Sequence, residues 1–227
     1  MARGCYVTGT DTGVGKTLAS ACLLHLLRAR GLHCAGMKPV ASGCTRQGDG
    51  AWRNDDALAL QAASSAPRPD YALVNPYALP EPTAPQLAAA RAGAAVELPP
   101  ILDAYRRLAA ERDAVVVEGV GGWLAPLSHG LDQSALVRAL QLPVVLVVGV
   151  RLGCLNHARL TERALAGDGI AVLGWIGSVV DPGFADSEQY GALLDDALAM
   201  PRLGWLPHST DGRADPLLAS LQAFPAV

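Results

Sequence analysis

The chain holds two lysines, Lys16 and Lys38, against sixteen arginines. Arginine is therefore its default cation, and a position that keeps lysine asks for a compact ammonium on a flexible stem rather than a wide planar fork. Both lysines follow apolar runs and sit beside glycines and hydroxyl residues. The stretches are Gly9-Thr10-Asp11-Thr12-Gly13-Val14-Gly15-Lys16-Thr17 and Lys38-Pro39-Val40-Ala41-Ser42-Gly43. The first reads as a phosphate-binding loop. Backbone N–H groups from Thr12 to Thr17, Val14 among them, can curl into an anion nest, and a helix starting at Lys16 adds its positive end. Gly13 and Gly15 give the backbone freedom and room that phosphate oxygens need. Lys16 would reach the β- and γ-phosphates, and the Thr17 hydroxyl would ligate Mg²⁺. The spelling departs from the common pattern in one place: Thr10 stands where the leading glycine is usual, and Gly9 precedes it.

Mg²⁺ takes one or two protein carboxylates near the phosphates. Glu118 closes the apolar run Ala114–Val117 and precedes Gly119-Val120-Gly121-Gly122. That puts it at the carboxyl end of a buried strand, where open α/β sheets bind ligands. Asp56 follows Asp55 at a predicted helix start, so its spacing fits a metal ligand and a helix-capping role equally. Lys38 ends a second apolar run, and in a parallel sheet it opens onto the same edge as Lys16. Two ammoniums there would suit an anionic acceptor that attacks phosphorus. A solvated strand-end lysine is the alternative that spacing leaves open.

The elements that must position these residues are visible as alternating patterns. Near-continuous apolar runs at Cys5–Thr8, His33–Met37, Ala114–Val117, Val144–Val148, Val172–Ile176 and Arg202–Leu206 read as strands buried on both faces. Helical periodicity covers Lys16–Arg30, Asp55–Ala63, Ile101–Arg112, Gln133–Leu140, Asn156–Ala166 and Ser187–Ala199. The order predicts a three-layer α/β/α domain of the P-loop nucleoside triphosphatase type, with a mostly parallel central sheet, spanning residues 1–227. The stretch Pro67–Pro100 carries eight of the sixteen prolines. It is expected to hold neither a central strand nor a regular helix, and to form a stiff wall beside a ligand site.

Bulk properties narrow the function classes. Apolar residues make up 51% of the chain and charged ones 17%, which supplies a core and excludes disorder. The net charge of −3, without a basic run, argues against nucleic acid or an acidic membrane as the main partner. Five cysteines without a C-x-x-C pair fit reduced thiols. The longest apolar run, Leu142 to Val150, contains Pro143 and is too short to span a bilayer. A cytoplasmic protein is the expectation.

Taken together, the motifs resemble the dethiobiotin synthetase family, whose members are ATP-dependent cyclising ligases of biotin synthesis. The collinear matches begin with Val7-Thr8-Gly9-Thr10-Asp11-Thr12, Val14-Gly15-Lys16-Thr17 and Lys38-Pro39-Val40-Ala41-Ser42-Gly43. They continue through Asp56-Ala57-Leu58-Ala59-Leu60, Val74-Asn75-Pro76-Tyr77, Glu81-Pro82-Thr83, Val117-Glu118-Gly119 and Gly121-Gly122-Trp123. Pro126-Leu127, Leu142-Pro143-Val144 and Gly153-Cys154-Leu155-Asn156-His157 complete the set, and the tail matches loosely through Gly204 and Leu206-Pro207.

The resemblance implies a substrate, 7,8-diaminononanoate, one amine of which takes up CO₂ to give a carbamate. The carbamate attacks the γ-phosphate of ATP, and the resulting carbamic–phosphoric anhydride is closed by the second amine. It implies catalytic roles for Lys16, Lys38, Thr12 and Ser42, and Mg²⁺ ligation by Thr17, Asp56 and Glu118. It implies nucleotide contacts from Gly13 to Thr17 and from Ser178, Leu206 and Pro207. For the diamine it implies Ser42, Gly121 and Gly122. It further implies a homodimer in which Gly153, Cys154, Leu155, Asn156 and Tyr190 of one subunit meet the substrate held by the other. A carboxylate at a helix N-terminus is physically sound there.

The chain departs from the family at two positions. Ser178 stands where the family presents an asparagine that reads adenine, so purine selectivity is expected to be weak. Gly13 stands where some members carry glutamate. Two rival readings meet obstacles. Partner-gated ATPases of this fold place a signature lysine where Asp11 stands, and corrin-type amidotransferases need a glutaminase domain for which 227 residues leave no room.

Overall fold

The structure is a computed structural model and describes residues 3–209 together with residues 214, 220, 221, 224 and 225. The chain begins with β1 (Arg3–Gly9), α1 (Lys16–Ala29), β2 (Cys34–Met37), β3 (Val40–Ala41), β4 (Thr45–Arg46), β5 (Trp52–Arg53) and α2 (Asp55–Ala63). It continues through α3 (Tyr71–Val74), β6 (Tyr77–Ala78), α4 (Pro85–Arg91), α5 (Leu98–Glu111), β7 (Ala114–Glu118), β8 (Pro126–Ser128) and β9 (Leu131–Asp132). It closes with α6 (Gln133–Leu140), β10 (Val144–Val150), α7 (Cys154–Gly167), β11 (Val172–Val179), α8 (Ser187–Ala197) and β12 (Arg202–Leu206).

Six strands form one sheet in the order β12-β11-β10-β1-β7-β2, every neighbouring pair parallel. Alternate residues of each strand feed opposite cores, as a pleat requires. Cys5 and Val7 of β1 pack with α1 and Leu60 of α2. Tyr6 packs on the other face with side chains of α5 and α6. Leu146, Val148 and Trp175 join Cys154 and Ala158 of α7 and Leu194 of α8. The sheet is thus buried on both faces, which is why its strands read as unbroken apolar runs. Among the described residues no helix is long and apolar enough to cross a membrane.

The proline-rich stretch departs from expectation. It contains the short helices α3 and α4, and α5 begins at Leu98, three residues before the predicted start. Pro85 opens α4, and Pro99 and Pro100 lie in the first turn of α5. The first four N–H groups of a helix have no intrahelical partner, so proline costs little there. The same stretch also pairs with the polypeptide after Lys38, through β3 and β6.

Candidate active site

In the sheet, β1, β7 and β2 are neighbours. Their carboxyl ends release the glycine loop, Glu118 and Lys38 respectively, so parallel order alone delivers the three to one edge. They meet in a cleft of about 490 Å³ lined by Thr12, Gly13, Gly15, Lys16, Thr17, Lys38, Ser42, Asp56, Glu118 and Gly121, with Ala41, Asn54 and Val120. Val14 turns its side chain into the core against Gly9 and Gly149, which leaves only its backbone for a ligand. Gly15 caps α1 with φ 87°, a left-handed angle that favours glycine.

The two lysines are held in different ways. Lys38 Nζ donates to Asp56 Oδ2 at 2.9 Å, to Glu118 Oε1 at 2.5 Å and to the Gly119 carbonyl at 3.1 Å. Burial opposes its charge, but the Glu118 and Asp56 carboxylates outweigh burial and hold its pKa above the ordinary lysine value. Asp56 responds in kind: burial pulls its pKa up, Lys38 pulls it down, and the lysine wins. Lys16 Nζ has only carbonyl partners, donating to Asp11 O and Gly121 O at 2.8 Å each. Burial, and then repulsion from Lys38, lower its pKa to about 8.

Asp56 is freed from the capping role that its spacing allowed. Asn54 caps α2 instead, its Oδ1 accepting from Ala57 N at 3.2 Å. Asp56 therefore keeps its carboxylate for the cleft. The Thr17 hydroxyl donates to Glu118 Oε1 at 3.0 Å, while Glu118 Oε2 is buried without a hydrogen-bond partner. An orphaned carboxylate oxygen in a cleft, with a threonine hydroxyl and a second carboxylate beside it, is a hard-oxygen donor set. Among the described residues no group of three or more His, Cys, Asp or Glu side chains could hold a metal. Two carboxylates and a hydroxyl match Mg²⁺, which keeps waters and shares its shell with phosphates, rather than Zn²⁺ or an all-protein Ca²⁺ cage.

The loop itself differs in detail from the predicted nest. Asp11 Oδ1 accepts from Thr12 N at 2.7 Å, and Asp11 Oδ2 pairs with Arg151 at 2.8 Å. The Thr12 amide is therefore spent inside the protein, and the free N–H groups begin at Gly13.

Sequence reasoning did not mark the residues that brace Lys38. Asn75 Nδ2 donates to Lys38 O at 2.6 Å, Tyr71 OH donates to Asn75 Oδ1 at 3.0 Å, and Asn54 N donates to Tyr71 OH at 2.8 Å. Asn54 Nδ2 reaches Ser42 O at 3.3 Å, and Lys38 N donates to Val74 O at 2.7 Å. The proline-rich wall thus grips the Lys38–Ser42 segment by its backbone. An asparagine directly before a helix was the available signal for Asn54; Asn75 offered only its place before a proline.

The remaining predicted residues lie apart from this cleft. Ser178 of β11 is buried, and a Cβ built on Gly15 would meet its Oγ at 2.4 Å. Leu206 is fully buried in the core, so only its backbone can face a nucleotide, whereas Pro207 is exposed. Gly153 caps α7 at φ 92°, Leu155 and Asn156 follow in the first turn, and Cys154 is buried. Tyr190 stacks edge-on to Phe184 at 4.8 Å and packs, with Leu155, on the cluster containing Cys154. Gly122 lines a separate groove of about 280 Å³ with Thr10, Leu124 and Leu160. The leucines at 124, 152 and 160 are 70%, 78% and 56% exposed.

Comparison with known proteins agrees with this geometry. Residues 3–213 match a family model described as an AAA domain. The chain is 60% identical over 217 residues to the ATP-dependent dethiobiotin synthetase BioD of Xanthomonas oryzae pv. oryzae, covering 96% of each chain. It is 58% identical over 207 residues to the protein of the same name from Xylella fastidiosa, covering 91% of each. Among solved structures it resembles the septum site-determining protein MinD of Pyrococcus horikoshii, determined with Mg-ADP. The TM-score is 0.53 at 16% identity, with 98% of this chain and 88% of that one covered. Chloroplast FtsY of Physcomitrella patens gives a TM-score of 0.52 at 18% identity, covering 98% and 65%. At such identities the solved structures speak for the fold alone.

Proposed function

The chain belongs to the ATP-dependent dethiobiotin synthetase family, and from that premise we propose that its cleft joins ATP, CO₂ and 7,8-diaminononanoate to give dethiobiotin, ADP and phosphate. The observation that carries this reading is that both lysines and all three oxygen donors line one cleft. One amine of the diamine adds to CO₂ and loses a proton, leaving a carbamate. A carbamate oxygen attacks the γ-phosphorus and ADP departs. The second amine then attacks the carbamoyl carbon, phosphate departs, and the ureido ring is closed.

Both reactants of the second step are anions, so catalysis is mostly positioning and charge neutralisation. Lys16 serves the phosphate chain from the α1 end of the cleft. Lys38 serves the carbamate and the transferring phosphoryl group, with Thr12 and Ser42 contacting the reacting groups. Gly121 and Gly122 let the diamine approach the backbone. Thr17, Asp56 and Glu118 would hold Mg²⁺, which when bound neutralises β- and γ-phosphate oxygens. The direct test is ADP release that requires both the diamine and bicarbonate and yields one dethiobiotin per ADP. Turnover without either would point to a nucleotide switch instead.

The homodimer reading is supported by the diamine contacts expected at the α7 N-terminus, which lie outside the cleft of their own chain. The exposed leucines 124 and 160 on the groove beside Gly122 offer an apolar patch of the kind that interfaces cover. Leu124→Glu with Leu160→Glu is expected to yield monomers in light scattering and to raise the KM for the diamine far more than that for ATP. A dimer of unchanged mass would contradict this placement.

Nucleotide choice is expected to be loose. Ser178 is short and buried against the phosphate loop, so it has little reach for a base edge. A competition assay should give ATP less than about a tenfold preference over other nucleoside triphosphates, roughly the 1.4 kcal/mol of one modest contact. Strict ATP selectivity would mean that another group reads the base.

A further inference from the structure

Beneath the cleft lies a polar residue that the reaction does not use. Gln133, the first residue of α6, is fully buried. Its Nε2 lies 3.0 Å from Val120 O, 2.5 Å from Gly122 O and 3.3 Å from Trp123 O. Its Oε1 accepts from the Tyr6 hydroxyl at 2.8 Å, and Tyr6 is fully buried in β1. Three carbonyls at one end and a donor at the other fix the orientation of the amide, because a flipped amide would oppose oxygen to oxygen. The fit is tight enough to dictate a neighbour. A Cβ on Gly119 would come 2.2 Å from Gln133 Oε1 and 2.7 Å from the Tyr6 hydroxyl.

The carbonyls of this loop alternate. Those of Val120 and Gly122 face Gln133, while those of Gly119 and Gly121 accept from Lys38 and Lys16. One buried amide thus holds the carbonyls that would otherwise compete, and turns their neighbours toward the two ammoniums. We propose that Gln133, anchored by Tyr6, is a positioning residue for both lysines: it sets the turn of residues 119–123 so that alternate carbonyls aim at Lys38 and Lys16. The inference rests on the assignment of the two lysines to the dethiobiotin reaction and adds the residue that sets where they stand.

Gln133→Met keeps the volume and removes every donor. Turnover per nucleotide-binding site, counted by titration, is expected to fall about 10- to 100-fold, the range that ångström-scale misplacement of reacting groups produces. Tyr6→Phe removes one hydroxyl and is expected to lower turnover several-fold in a protein that still folds; it decides the matter should Gln133→Met fail to fold. Leu140→Ala, on the same helix and in the apolar core, controls for lost stability and should keep turnover per site within about twofold below its melting temperature. Unchanged turnover in folded Gln133→Met and Tyr6→Phe, or an equal loss in Leu140→Ala, would overturn the proposal. The underlying reading fails separately: in that case Lys16 and Lys38 substitutions would also leave dethiobiotin formation intact.

Discussion

Lys38→Leu should reduce dethiobiotin formation by about 10³-fold, the upper range for removing one charge-stabilising group from a reacting centre, while nucleotide binding survives. The argument begins with burial. The Lys38 side chain is 4% exposed and that of Glu118 is 0%, whereas Asp56 is 44% exposed. Removing the ammonium leaves Glu118 buried without a cation, a change that costs about 3–5 kcal/mol when a buried pair is broken from one side. Asp56, half in water, loses much less. Stability and catalysis can therefore be separated. Adding Glu118→Gln to Lys38→Leu should recover most of the melting temperature and none of the turnover. Lys38→Arg keeps the charge, yet its planar fork cannot reproduce a point ammonium shared among Asp56 Oδ2, Glu118 Oε1 and the Gly119 carbonyl. It should restore part of the stability and leave product formation at least about tenfold down. Thermal melts, nucleotide titration and product assays on the four proteins check this; turnover that follows stability across the set would remove Lys38 from the chemistry.

That experiment also returns to why lysine stands out in an arginine-rich chain. The six sheet strands were legible because two-sided burial writes itself as unbroken apolar runs. The phosphate loop was legible because its glycines sit where a strand meets a helix. Lys38 and Glu118 could be placed on one edge by the parallel geometry that those runs imply. The supporting amides were not legible. Asn75 bonds Lys38 across 37 positions, and Gln133 meets Tyr6 across 127. Asn75 meets a backbone carbonyl there, and Gln133 spends its amide donors on carbonyls too, a group every residue carries. Such contacts leave no residue-type pattern at any fixed spacing. Asp56 lies between these cases, since a helix start explains an acidic pair until Asn54 is seen to do the capping. The short helices of the proline-rich stretch were missed because proline was weighed as a helix breaker, while at a helix start it is tolerated.

Lys16 carries the second large effect, and here pH gives the handle. With its ammonium pressed between the Asp11 and Gly121 carbonyls and repelled by Lys38, its pKa in the free protein falls to about 8. Phosphate oxygens favour the charged form, so bound ATP must raise that pKa, and binding above pH 8 takes up a proton. The sign follows from linkage. Affinity is fully present while the free protein is already protonated, below about pH 8. It then falls as pH rises through that value, by at most about tenfold per pH unit. Lys38, whose pKa is raised by Glu118 and Asp56 against the pull of burial, stays charged across the window and adds no slope of its own. Calorimetric titration with a non-hydrolysable ATP analogue and Mg²⁺ at pH 7 to about 9.5, in buffers of differing ionisation heat, should show the falling affinity together with the proton uptake. Lys16→Gln has no proton to take up, so its affinity should be low and flat, and its turnover down by about 10² to 10³. Wild-type affinity that stays level to pH 9.5 would mean that the Lys16 ammonium does not meet the phosphates from this buried position.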